Sequence, residues 1–286
     1  MSAQESSSDN TYIIDIEEGA ETARLMHQDK LYTNAMGGLF PEQADLSYVE
    51  HILDLACGPG GWTIEVAFTY PTSKVIGVDI NQTMVDYALA QAASQNIQNV
   101  TFEVMDIKQP LGFPDNSFDL VNARFITAFM DRTSWPKLLR ECYRVLKPGG
   151  IARFTEMEWG QSNSPAAARL WSHLPQLLAR QGRTFSEDGT TLGIAHAIGR
   201  LLKNAGFTDI ERHAFLVDSS YDSAFHYAHY QNTRVSIALI KPYLMRSGIL
   251  QEAEFEELHD RMLTEMMSED FTSVAFGLTA WGMKPR

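Results

Sequence analysis

Cysteine is scarce in this chain, 2 in 286 residues, and that scarcity excludes both a disulfide framework and a zinc site built on cysteine pairs. Cys57 falls in a glycine-rich loop and Cys142 on a predicted helix, so the two read as unpaired thiols of a reducing compartment. Positive charge is also in short supply: 23 basic residues stand against 36 acidic ones, a formal net charge of −13. Nucleic-acid binding draws most of its affinity from Lys and Arg on phosphate, so this balance argues against a polyanionic partner. No run of about eighteen apolar residues occurs, which argues against a membrane span. The first ten residues, Met1 to Asn10, lack the basic and apolar regions of a signal peptide, and a cytoplasmic location is expected. Neither an internal repeat nor a low-complexity linker is visible. What remains is a chain with 44% hydrophobic residues, enough for one large α/β domain plus a cap. Its expected partner is a small molecule, with no nucleic acid and no membrane, and a homo-oligomer is open.

The most informative stretch is Ile52-Leu-Asp-Leu-Ala-Cys-Gly-Pro-Gly-Gly61. Ile52, Leu53 and Leu55 supply the apolar run of an interior parallel strand, and Gly58, Gly60 and Gly61 allow a sharp turn with close backbone approach to a ligand. A helix follows from about Trp62 to Phe68, its free N–H groups facing that ligand. Two chemistries fit the loop taken alone. Ala56, Gly58 and Gly61 match a degenerate dinucleotide fingerprint, with Asp79 about twenty residues on at the end of the next strand. Asp54, inside the first strand, points the other way: a carboxylate there suits a ligand carrying a cationic amino acid moiety and would repel a pyrophosphate.

Asp54-Leu-Ala-Cys-Gly-Pro-Gly60 resembles the first motif of the class I S-adenosylmethionine-dependent methyltransferases, of the bacterial natural-product and small-molecule type. Four further matches follow in order: Val78-Asp79-Ile80, Val104-Met105-Asp106-Ile107, Phe113-Pro-Asp-Asn-Ser-Phe-Asp-Leu-Val121, and Leu139-Arg-Glu-Cys-Tyr-Arg-Val-Leu-Lys-Pro-Gly-Gly150. The resemblance spans roughly residues 50 to 157. It implies S-adenosyl-L-methionine as cofactor, with Asp79 on the ribose hydroxyls, Asp106 on the adenine amino group, and Ile80, Met105 and Ile107 about the ring. Asp54, Ala56, Gly58, Gly60, Met84 and Asn122 complete the implied cofactor set. Ala56 stands where the family usually has glycine; a methyl there is tolerated if φ is negative, and it then slightly tightens the pocket without excluding the ligand. The fourth strand ends Asn122-Ala-Arg-Phe125, without the Asn/Asp-Pro-Pro-aromatic motif of the families that methylate adenine or amide nitrogen.

Strands are expected near 51–56, 74–79, 100–105, 118–123, 150–157, 207–217 and 271–283. Helices are expected near 18–35, 62–69, 81–95, 134–145, 165–181, 190–205, 222–246 and 251–268. Their alternation specifies an α/β fold, a Rossmann-like, seven-stranded, mostly parallel sheet with helical caps; the resemblance implies that its last two strands form an antiparallel edge. The expected division is an N-terminal helical lid over 1–45, a cofactor-binding core over 46–160, and completion of the sheet with acceptor-binding helical insertions over 161–286. In the lid segment, Tyr12 to Phe40, Arg24 and Gln28 lie one turn apart. They are candidates for the cofactor's carboxylate and amino group, or else a solvated surface pair.

Displacement at the sulfonium methyl needs chiefly alignment, and a base only for weakly acidic acceptors. Candidates for that base, by position, are Glu156 and Glu158 at the end of the fifth strand, then His173, His226 and His229. Trp159 and Trp171 after that strand, with Phe225, Tyr227 and Tyr230 in the aromatic stretch from Tyr221 to Tyr243, are either core or the wall of an apolar acceptor pocket. The sequence reading is therefore methyl transfer to a small, largely apolar metabolite. Carbon methylation of an isoprenoid or indole-derived natural product is the first form, O- or N-methylation the near alternative, and an NAD-dependent reductase the distant one.

Overall fold

The computed structural model describes residues 19–43 and 45–286. The part of the expected lid before Gly19 lies outside the described residues. Among the described residues, eight strands form one sheet in the order β3-β2-β1-β4-β5-β8-β6, with β7 also on β8. Strands β1 (His51–Leu55), β2 (Lys74–Asp79), β3 (Val100–Val104), β4 (Phe118–Arg124) and β5 (Leu146–Met157) are parallel neighbours. Strand β8 (Ser273–Met283) runs antiparallel to β5 and to β7 (Thr208–Asp218). The eighth strand, absent from the expected seven, is the two-residue β6 (Gln161–Ser162), whose pairing with Val274 and Ser273 turns the chain as it leaves β5. Strand order reverses between β2 and β4 at β1, which opens a crevice beyond the carboxyl ends of these strands.

Both faces of the sheet are covered, so its strands are apolar on both sides. Ile52 packs in a cluster with Trp62 and Ile64 of α2 (Gly61–Thr69) and Val85 of α3 (Gln82–Ser94). Its neighbours Leu53 and Leu55 join the opposite cluster with α4 (Ser134–Val145). Helix α4 shows why: Trp135, Leu138, Leu139, Cys142 and Val145 fall on one helical stripe, all buried. Cys142 is a buried, inert thiol, its pKa pushed up by burial.

Four helices roof the crevice: α1 (Gly19–Met36), α5 (Pro165–Arg180), α7 (His226–Ser247) and α8 (Glu252–Met266); α6 (Ile194–Asn204) packs on the sheet beside β7 and β8. The buried positions of α1 include Glu21, Thr22, Arg24 and Thr33, so this helix seals itself with polar contacts where a core helix would use leucines. No helix among the described residues is long and apolar enough to cross a membrane.

Candidate active site

A cavity of ≈ 830 Å³ lies beyond the carboxyl ends of β1 to β5 and continues under α1, α5 and α7. Its first wall is the glycine loop. Gly58 takes φ +54°, and its N–H donates to Asp79 Oδ2 at 2.9 Å, while the N–H of Asn81 donates to Oδ1 at 2.9 Å. These bonds fix the Asp79 carboxylate at the end of β2 with lone pairs to spare, although burial raises its pKa. Asp106 is placed in the same manner, Oδ1 accepting the N–H of Lys108 at 2.9 Å. Ile80, Met84, Met105 and Ile107 line the cavity around these two acids.

Two expectations about the loop are corrected. Ala56 has φ +54°, not a negative value, so its methyl sits in the left-handed region that glycine occupies without cost. Replacing Ala56 by glycine should therefore raise folding stability by about 1 kcal/mol in urea unfolding, and a neutral or lower value would show the strain to be absent. Gly60 does not line the cavity. It is required for packing, because a Cβ there would lie 2.8 Å from Ala88 Cβ and 2.9 Å from the Phe102 ring.

Asp54 is buried on the cavity wall, accepting from Thr63 Oγ1 at 2.6 Å and Asn122 Nδ2 at 2.8 Å, and burial pushes its pKa up to about 6. Asn122 is itself fully buried and away from the cavity, a correction to its expected place on the cofactor. The in-register pairing of Asp54 with Asn122 across β1 and β4 makes it the hand that holds Asp54. Behind it, Arg153 Nη1 donates to Asn122 Oδ1 at 2.8 Å and Nε to Glu42 Oε1 at 2.5 Å, with neither ionic side chain more than 1% exposed.

Helix α1 closes the cavity through two polar ties. Arg24 and Gln28 line it, and Arg24 is held bidentately by Glu21 at 2.6 and 2.8 Å, contacts Gln28, and donates to Asn232 of α7 at 3.0 Å. Arg124, at the end of β4, pairs with Asp29, donates to Thr33 Oγ1 at 3.1 Å and lies 5.3 Å from the Trp62 ring centroid. Sequence reasoning missed Glu21, Asp29 and Arg124. Arg124 stands at the carboxyl end of the strand beside β1, a position that marks the crevice in such sheets.

Beyond the loop the cavity widens into a chamber walled by the stacked pair Trp159 and Trp171, ring centroids 5.5 Å apart, and by Phe125, Phe129 and Phe271. Phe125 takes a left-handed φ of +58° as it enters a 3-10 turn, Ile126–Ala128. That turn aims N–H groups at Glu156 Oε1, from Ile126 at 2.9 Å and Thr127 at 3.3 Å. Burial above all, with Glu158 adding to it, pushes Glu156 up to about 8. Glu158 accepts from Leu192, Gly193 and Ala195 at 3.1 to 3.2 Å, at the start of α6, and both carboxylates line the chamber.

The histidines separate. His229 lines the chamber, is 3.4 Å from Thr233 Oγ1 through Nε2, and has its pKa lowered to about 4 by burial. His173 and His226 lie away from it: His173 packs on the buried side of α5, and His226 Nδ1 meets the carbonyl of Ser219 at 3.2 Å. The acceptor-wall expectation needs a parallel correction. Tyr227 is 65% exposed, and Phe225 and Tyr230 are off the cavity, with Tyr230 against the core. On α7 the wall is made by the polar stripe His229, Asn232, Thr233 and Ser236, continued by Ile240.

A parallel sheet with its order reversing at β1, an antiparallel last strand and acids closing β2 and β3 around a glycine loop define the class I methyltransferase fold. A family model described as a methyltransferase domain matches residues 52–150. A demethylmenaquinone methyltransferase of Symbiobacterium thermophilum is 40% identical over 102 residues, 35% of this chain and 40% of that protein. The matches span less than two thirds of the length of the curated relatives. Among solved structures, phosphoethanolamine N-methyltransferase 2 of Haemonchus contortus superposes with a TM-score of 0.58 at 20% identity, covering 94% of this chain and 58% of that one. Geranyl diphosphate C-methyltransferase of Streptomyces coelicolor A3(2) gives 0.50 at 16% identity, covering 96% and 89%. Residues 52–150 thus match a methyltransferase domain, and the fold around them is that of the class I S-adenosylmethionine-dependent methyltransferases.

Proposed function

We propose that this protein transfers a methyl group from S-adenosylmethionine to a small, largely apolar metabolite. The observation that carries the reading is the continuity of one cavity from the glycine loop to the tryptophan-walled chamber, so that donor and acceptor share a space closed by α1. The acidic donor set fits the cofactor. Asp79 has lone pairs for a ribose diol, Asp106 for an amino group, and Asp54 offers a buried carboxylate to the cationic methionine end. When bound, the cofactor supplies a methyl group on a positive sulfur, already activated for displacement. The chain's own contribution is alignment and exclusion of water, with α1 as lid through its Arg24 and Arg124 ties.

Flat or greasy acceptors of the indole-derived or isoprenoid kind match the chamber walls, and a cytoplasmic natural-product enzyme goes with that reading. The first test compares ligands: S-adenosylhomocysteine at one hundred times its Kd should stabilise the fold by about 2.7 kcal/mol, raising Tm by several degrees, while NADH leaves it unmoved. A shift with NADH alone would sink the proposal. Labelled-methyl transfer to a metabolite library then finds the acceptor.

A further inference from the structure

The chamber is walled by two buried carboxylates, and they differ in how fully they are used. Glu158 spends both oxygens on the three N–H groups at the start of α6. Glu156 Oε1 takes the N–H groups of Ile126 and Thr127, but Oε2 has only a marginal approach from Thr127 N at 3.4 Å. Next to it Thr127 Oγ1 is buried with no partner among the described residues. A carboxylate offers about four acceptor positions, so Glu156 retains capacity toward the cavity. The tryptophan pair adds aromatic surface of the kind that attracts cations.

The cations on the same cavity are spoken for elsewhere. Arg24 and Arg124 pair with Glu21 and Asp29 under the lid, and Lys108 lies 6.0 Å over the Phe129 ring. An acceptor bearing phosphate or carboxylate would thus be placed against two carboxyl groups, neither of which complements its charge.

We propose that the acceptor is an amine carried on a flat apolar ring, and that Glu156 receives its positive charge. This rests on the methyl-transfer reading above. In the step, the ammonium group passes one proton to Glu156, which frees the nitrogen lone pair. That pair forms the N–C bond to the methyl carbon while the C–S bond breaks and its electrons go to sulfur. The positive charge moves from sulfur to the methylated nitrogen, beside Glu156 and the tryptophan faces. Burial holds the Glu156 carboxyl up at about 8, and an ammonium beside Oε2 would favour its charged form, the form that takes the proton.

The test uses two probes with one ring and opposite side-chain charge, tryptamine and indole-3-propionate, titrated calorimetrically into the full chain saturated with S-adenosylhomocysteine. Tryptamine should bind tighter by about tenfold or more. Glu156→Gln should bring the two probes to parity with S-adenosylhomocysteine affinity kept, and Trp171→Leu should weaken both probes with the preference retained. Propionate binding as tightly as tryptamine, tryptamine failing to bind at millimolar concentration, or a Gln variant that keeps the preference overturns the proposal. If Glu156→Gln does not fold, the preference of the unaltered protein decides. A protein that fails to bind S-adenosylhomocysteine at all would instead remove the methyl-transfer reading itself.

Discussion

Asp79→Ala should weaken S-adenosylhomocysteine binding by about 2–4 kcal/mol, some 30- to 1000-fold in Kd by calorimetry. The loss has two sources. The carboxylate is the acceptor offered to the ribose hydroxyls, and it also ties the N–H of Gly58 in the glycine loop to that of Asn81 at the start of α3. Removing it takes away the ligand's partner and loosens the loop that shapes the cavity. Asp79→Asn keeps the shape and should fall between, since one acceptor oxygen becomes a donor that faces N–H groups. An unchanged Kd for Asp79→Ala, with the fold intact by circular dichroism, would show that the ribose binds elsewhere.

The largest effect on folding is expected at Arg153. Arg153→Met leaves Glu42 charged in a buried site and takes a donor from Asn122, and breaking a pair of this kind costs about 3–5 kcal/mol. Urea unfolding of the single variant should show that loss as a lower midpoint. The double variant Arg153→Met/Glu42→Leu should recover much of it, because no lone charge stays buried; only the Asn122 carbonyl then lacks its partner. A single variant as stable as the parent would mean that water reaches Glu42 freely.

Most of the fold was legible because periodicity and turn chemistry agree along the chain. Helix α4 is found from its apolar stripe to the residue, 134–145, and β2 from its apolar run, 74–79. Strand β6 was not, since two residues carry no period, and neither was the 3-10 turn at 126, which depends on Phe125 accepting a left-handed backbone so that two N–H groups meet Glu156. The conformation of Ala56 escaped for a similar reason: a positive φ is legible for glycine and hidden for alanine. In the site, acids at strand ends were legible because the parallel sheet places them together at one edge. Aromatics on α7 were not, because one helix turn decides whether a ring faces the chamber or the solvent. There the polar stripe of His229, Asn232, Thr233 and Ser236 faces inward, while Tyr227 faces out. Asn122 shows a further limit, for a residue in the right motif serves the site through Asp54 from behind.

The chain of contacts from Asp54 through Asn122 and Arg153 to Glu42, set beside the Arg124–Asp29 pair, has an odd number of charges when Asp54 is ionised. Three acids stand with two guanidinium groups, which leaves one negative charge in excess. The cofactor proposed above would bring its amino cation to that place. Such a set would favour a cation at Asp54, and the proposed amino group is one. Because Glu42 follows α1 and Asp29 lies within it, a cation bound at Asp54 would also bear on the helix that covers it.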